Sequence, residues 1–222
     1  MANTNPQKLA ASRELVTCRA CPRLAGFLDA VRASHPTYHA APVPAFGAAD
    51  ARLLIVGLAP GMHGANRTGR PFTGDHAGIL LYQTLHAYGF ASHPESRARD
   101  DGLQLRDCRI TNAVKCLPPQ NKPEPQEIGR CNAFLIEELA ASPEVRVILA
   151  LGSVAHRAVL LAHGLKQSAA KFAHGGRHVL PGQRILLDSY HCSRYNTQTR
   201  RLTPESFATI FEQARAELGP GL

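Results

Sequence analysis

Arg52-Leu53-Leu54-Ile55-Val56-Gly57 is a short apolar run with no polar alternation, stopped by a glycine. That pattern fits a strand buried on both faces, and such strands belong to parallel sheets with helices on either side. Similar runs recur at Cys108–Val114, Val145–Leu151 and Arg184–Leu187. Between them the spacing turns helical: Ile79, Leu80, Tyr82, Leu85 and Tyr88 precede Gly89, and Ile128, Leu135, Ile136 and Leu139 form one stripe of a helix over Glu124–Ala141. Ser153 is the expected N-cap of a helix through Ala162, and Pro204–Leu218 reads as a terminal helix. The alternation predicts an α/β fold, a three-layer α/β/α sandwich around a mainly parallel four-stranded central sheet. Such sheets bind ligands beyond the carboxyl ends of their strands, which directs attention to the loops after Val56, Val114 and Leu187.

The 222 residues contain no internal linker able to separate two cores, so a single domain over 1–222 is expected, with an N-terminal helical segment at about 7–32. Hydrophobic residues make up 44% and charged residues 19%, which excludes a disordered chain. No signal-peptide pattern opens the sequence and no stretch approaches ~18 consecutive apolar residues, so a cytoplasmic, intracellular protein without membrane contact is expected. The formal charge of +8 suits a polyanionic partner. A monomer is the default.

Six cysteines in such a chain point to metal ligands, packed thiols or reactive groups before disulfides. Cys18-x-x-Cys21 places two thiolates within reach of one metal, and Cys116 and Cys131 are able to complete a four-thiolate site. Spacing alone leaves zinc and iron–sulfur equally open.

Behind the first strand, Gly57-Leu-Ala-Pro-Gly61-Met-His-Gly64-Ala-Asn-Arg-Thr-Gly69-Arg-Pro-Phe72-Thr-Gly74-Asp75 packs five glycines into one loop. Backbone there must approach a ligand or another segment closely. It lacks the GxxxxGK[ST] arrangement of a phosphate loop, so nucleotide-triphosphate chemistry is disfavoured. The segment resembles the first motif of the uracil-DNA glycosylase superfamily, family 5, the B-type enzymes. Leu58 and Ala59 stand where other families carry a polar water-orienting group, an absence that family 5 shares. Ile110-Thr-Asn-Ala-Val-Lys-Cys116-Leu-Pro-Pro resembles the superfamily's base-recognition strand, and Ser189-Tyr-His-Cys-Ser-Arg-Tyr-Asn196 is similar to its second motif. Cys192 replaces an expected proline, which puts the geometry of the DNA-inserting loop in question, and Arg200 replaces an expected glycine.

The resemblance implies an α/β/α sandwich, a 4Fe-4S cluster on Cys18, Cys21, Cys116 and Cys131, and hydrolysis of the N-glycosidic bond of uracil and other deaminated bases, hypoxanthine and xanthine included. The substrate would be double- or single-stranded DNA, and the protein nucleoid-associated when bound. Residue chemistry agrees with those roles. Phe72 is able to stack on an extruded base, and Asn112 offers donor and acceptor to a pyrimidine edge. His191 is the natural donor to the uracil O2, and Asp75 is placed to stabilise a cationic sugar or orient water, with helix N-capping as its alternative role. Gly57, Ala59 and Gly61 complete the expected base pocket. Arg67, Arg70, Ser193, Arg194 and Asn196 are candidate phosphate contacts, and Tyr195 a wedge into the base stack. Lys115, the nearest amine, alternates away from Asn112, which argues against a lysine nucleophile. The charged stretch Ser92–Arg106 reads as solvated surface. The competing reading is a metal-stapled nucleic-acid-binding module without turnover.

Overall fold

The computed structural model describes residues 14–219. In chain order the elements are α1 (Pro22–Ser34), β1 (Phe46–Gly47), β2 (Leu53–Gly57), α2 (Ala65–Thr68), α3 (His76–Ala87), β3 (Cys108–Asn112), α4 (Pro125–Ala140), β4 (Val147–Leu151), α5 (Ser153–Ala162), β5 (Arg177–Val179), β6 (Ile185–Ser189), α6 (Arg194–Gln198) and α7 (Pro204–Leu218). The sheet runs β1-β3-β2-β4-β6-β5. Its four central strands are parallel, while β1 and β5 add antiparallel edges. The sheet therefore has six strands, not four. Phe46-Gly47 and Arg177-His178-Val179 are too short and too exposed to leave an apolar run, and their pairing depends on the neighbouring strand.

Strand alternation distributes the core. Leu53 and Ile55 face a layer built by α3 and α7, with Leu81, Leu85, Phe207 and Phe211 packed on them. Leu54 and Val56 face the opposite layer, with Leu135 of α4 and Val159 of α5. All five residues of β2 are buried, as the opening run predicts, and each such aliphatic side chain contributes about 1.5–3 kcal/mol. The arrangement is the three-layer sandwich. Several boundaries differ, and three of them bear on the site. β3 ends at Asn112, where the chain leaves the sheet; β6 runs to Ser189; and α5 is capped by Gly152, at φ 97°, so Ser153 is its first residue. Of the 7–32 segment, residues 14–16 are helical, α1 follows the cysteine turn, and 7–13 lie outside the described residues. No described helix is long and apolar enough to cross a membrane.

Arg70 overturns one expectation. Its guanidinium is buried and donates to Thr73 Oγ1 at 2.9 Å, Ser96 Oγ at 2.7 Å and Asp101 Oδ2 at 2.6 Å, over the Phe46 ring. It is no phosphate contact. It ties the first-motif loop to the 92–106 stretch, which is therefore more than solvated surface.

Arg200 adopts a left-handed conformation, φ 55°. A side chain there costs about 1–2 kcal/mol, whereas glycine loses about 0.5–1 kcal/mol in chain entropy. Arg200→Gly is expected to stabilise the fold by about 0.5–1 kcal/mol in urea denaturation. An unchanged or lower midpoint contradicts this.

Candidate active site

The carboxyl ends of the four parallel strands meet one large cavity of about 1240 Å³. Leu58 and Ala59 follow β2, Asn112 ends β3, Leu151 and Gly152 close β4, and Tyr190 and His191 follow β6; all of these line it. β3 and β4 flank β2 on opposite sides, so the strand order reverses there, the usual place for a ligand crevice.

The predicted residues converge on that cavity. Asp75, Phe72, Asn112 and His191 line it with Ala59 and Gly61. Gly57 instead lies beneath it: a Cβ there would stand 2.4 Å from Asn112 Oδ1 and 2.6 Å from the Phe72 ring, so its bareness lets the two side chains approach. Phe72 sits at φ 53°, a strained value for a non-glycine residue, and is held by its surroundings, with Tyr82 Oη donating to Pro71 O at 3.0 Å. Its ring lies 5.8 Å from that of His191 at 27°.

Asp75 takes its capping role and also turns an oxygen toward the cavity. Oδ1 accepts from Gly78 N at 3.0 Å and caps α3, while Oδ2 points toward Gly61 and Gly64. Burial raises its pKa, opposed by the backbone amides at the helix start. Gly64 was not singled out from the sequence. A Cβ there would fall 2.2 Å from Asp75 Oδ2, so the loop glycine is what makes room for the carboxylate. Only the density of glycines hinted at it.

Burial holds the His191 imidazole at a pKa of about 4, so it is neutral at physiological pH. Its remaining exposure is to the cavity, and Asn196 Nδ2 donates to His191 O at 2.8 Å to fix the loop. Asn112 is buried, and its Oδ1 has no hydrogen-bond partner among the described residues. An unpaired buried acceptor is costly unless a ligand supplies the donor.

Arg67, Ser193, Arg194 and Asn196 line the cavity. Arg67 Nε donates to His63 O at 2.7 Å, and Ser193 caps α6. Tyr195 lies outside the cavity wall and is 70% exposed. Cys192 is fully buried in the main core, so the residue in the proline position packs inward. No lysine lines the cavity among the described residues, and Lys115 Nζ is buried against Thr111 and Glu138.

The four cysteines converge on a second, small cavity walled by Leu15, Leu24 and Phe134. Lys115 N donates to Cys131 Sγ at 3.2 Å. Burial pushes the Cys116 thiol up to about 12 and the Cys131 thiol up to about 11.

Residues 44–215 match the family model of the uracil DNA glycosylase superfamily. The chain is 50% identical over 210 residues to the type-5 uracil-DNA glycosylase of Thermus thermophilus, covering 92% of this chain and 95% of that protein. It is 43% identical to the type-5 enzyme of Pyrobaculum aerophilum, covering 92% and 91%, and 42% identical to that of Mycobacterium leprae, covering 93% of each. On these matches the chain belongs to the uracil-DNA glycosylase superfamily.

Proposed function

We propose that this chain is a monofunctional DNA-repair glycosylase that hydrolyses the N-glycosidic bond of uracil in DNA, and of hypoxanthine and xanthine, leaving an abasic site. The observation that carries the reading is the unpaired Asn112 Oδ1 beside Phe72, His191 and Asp75 in one cavity. The nucleotide leaves the base stack and its base lies against Phe72. The Asn112 amide reads the pyrimidine edge, its Oδ1 accepting the N3–H. As the C1′–N1 bond breaks, its electron pair moves onto the base. Neutral His191 donates a hydrogen bond to O2 and stabilises that anion without transferring a proton. Asp75 stabilises the positive sugar, orients the water that attacks C1′ and takes the proton that water loses, and the released base anion is protonated from solvent. Gly57, Ala59 and Gly61 shape the pocket floor. Arg67, Ser193, Arg194 and Asn196 hold the phosphates and Tyr195 fills the gap in the stack. That no lysine lines the cavity among the described residues supports hydrolysis over amine attack. The protein works as a monomer on double- or single-stranded DNA, in the cytoplasm at the nucleoid.

Cys18, Cys21, Cys116 and Cys131 are assigned to a 4Fe-4S cluster. The convergence of the four thiols on one small, mostly apolar cavity supports that assignment. Bound there, the group supplies a cross-link joining α1, the chain after β3 and α4.

Uracil-containing duplex treated with the protein and then alkali is expected to be cut at the uracil. Binding without any alkali-labile site overturns the enzyme reading in favour of a binding module. Pure protein is expected to be yellow-brown, with visible absorption lost in Cys131→Ser; colourless protein carrying zinc overturns the cluster assignment.

A further inference from the structure

Among the described residues outside those already assigned, His156, His178 and Asp188 form a compact, largely buried cluster. Asp188, on β6, is fully buried. His156 Nδ1 lies 2.7 Å from its Oδ1 and His178 Nε2 lies 3.0 Å from its Oδ2. His156 Nε2 in turn meets Ala170 O at 3.1 Å. Both ring nitrogens of His156 thus face acceptors, and a neutral ring has only one N–H to donate. Something positive must lie between Nδ1 and the carboxylate, a proton or a metal ion. A tetrahedral metal with bonds of ~2.0–2.1 Å separates its ligand atoms by ~3.3 Å. The 2.7 Å contact is shorter, and each histidine takes a different carboxylate oxygen, the pattern of charge-assisted hydrogen bonds. Protonated, His156 donates from both ring nitrogens, to Asp188 and to Ala170 O. The other titratable groups around it are His178 on β5 and the adjacent Arg157 on α5.

The cluster holds down segment 170–178. Gly175 N donates to Asp188 O and Asp188 N to Gly176 O, each at 2.9 Å. From this segment Phe172 reaches the cavity, its ring edge-on to His156 at 5.7 Å and 6.2 Å from Tyr190. Tyr190 already carries the stacked His174 ring and the Arg201 guanidinium, whereas the ring contacts of Phe172 are edge-on or tilted, with none stacked on it. The cavity, at about 1240 Å³, exceeds the ~300–1,000 Å³ of an ordinary small-molecule pocket.

We propose that this end of the cavity is a second nucleotide subsite, in which Phe172 stacks on the base next to the extruded one, and that Asp188, through His156 and His178, is the positioning residue that sets Phe172 there. The inference rests on the glycosylase reading for its substrate. Its main measurement, binding, does not require turnover.

The test measures dissociation constants, by fluorescence anisotropy, for a single-stranded oligonucleotide carrying non-cleavable 2′-fluoro-2′-deoxyuridine, alongside single-turnover rates on ordinary uracil DNA. Phe172→Ala is expected to weaken binding about tenfold, the effect of losing one base–aromatic stack, with the rate of bound substrate changed less than about threefold. Phe172→Trp restores binding. Asp188→Asn weakens binding to a similar degree, and the double variant is no worse than Phe172→Ala alone. Removing the base on one side of the uridine reproduces the loss in wild type and has no effect in Phe172→Ala. Should Asp188→Asn not fold, His156→Gln takes its place in the cycle. Multiplicative losses, or indifference to both neighbouring bases, overturn the proposal. So does ring nitrogen NMR showing His156 singly protonated at neutral pH, or a stoichiometric divalent metal lost with Asp188→Asn. Wild-type protein that binds the oligonucleotide as described but releases no uracil would overturn the glycosylase reading alone.

Discussion

Asp75→Asn is expected to lower single-turnover release of uracil by about 10²–10⁴-fold, the range for loss of a positioned acid–base group, while leaving the fold nearly as stable as before. The two halves of the expectation come from the two oxygens. Oδ1 caps α3 through Gly78 N, and asparagine is as good an N-cap as aspartate. Oδ2 faces the Gly61–Gly64 turn on the cavity side, where an amide keeps the shape and loses the charge. Asp75→Ala adds the loss of the cap, about 1 kcal/mol in urea denaturation. Burial raises the Asp75 pKa, so the ionised form is lost at a higher pH than for a free carboxylate. Wild-type activity should fall as pH drops through that raised value, and this limb should be absent from the residual activity of Asp75→Asn. An Asp75→Asn enzyme within about threefold of wild type would remove Asp75 from the chemistry and leave it a helix cap.

Arg70→Ala is expected to destabilise the protein by about 3 kcal/mol, the lower end for breaking a buried ion pair, because Asp101 retains some access to water. The guanidinium bonds Ser96, Thr73 and Asp101 at once, and its removal takes one partner from each and leaves the Asp101 carboxylate without its counter-charge beneath a surface loop. Burial opposes ionisation of Asp101, but the Arg70 hydrogen bond and three backbone amides hold its carboxyl far below the usual range. A depressed folded-state pKa stabilises above the unfolded value of about 3.9 and is lost as pH falls toward the folded one. The stability gap between wild type and Arg70→Ala should therefore be widest near neutrality and shrink below about pH 4. Denaturation midpoints at several pH values read this directly. A variant of unchanged stability, with DNA affinity weakened and its salt dependence reduced by about one charge, would return Arg70 to the phosphate-binding set.

The division between these two arginine and aspartate cases shows where a linear reading stops. Asp75 was recognisable because cap and motif are local: the carboxylate, the glycines beside it and the first turn of α3 lie within a few residues of one another. Arg70 stands in the same loop as Arg67, with the same chemistry in isolation. What separates them is a partner 31 residues away. The His156–Asp188–His178 cluster was invisible for the same reason, since its members meet only when α5, β5 and β6 pack together.

By itself the sequence determined the layered α/β architecture, because strands buried on both faces and helices with one apolar stripe must write their periodicity into consecutive residues. It also determined which loops meet, since the carboxyl ends of parallel strands share one edge of the sheet. Only the tertiary structure decided the edge strands β1 and β5, the burial of Arg70, the unpaired Asn112 Oδ1, the neutrality of His191 and the room that Gly64 leaves for Asp75. Those properties depend on what surrounds a group in three dimensions, and desolvation and pairing have no period along the chain.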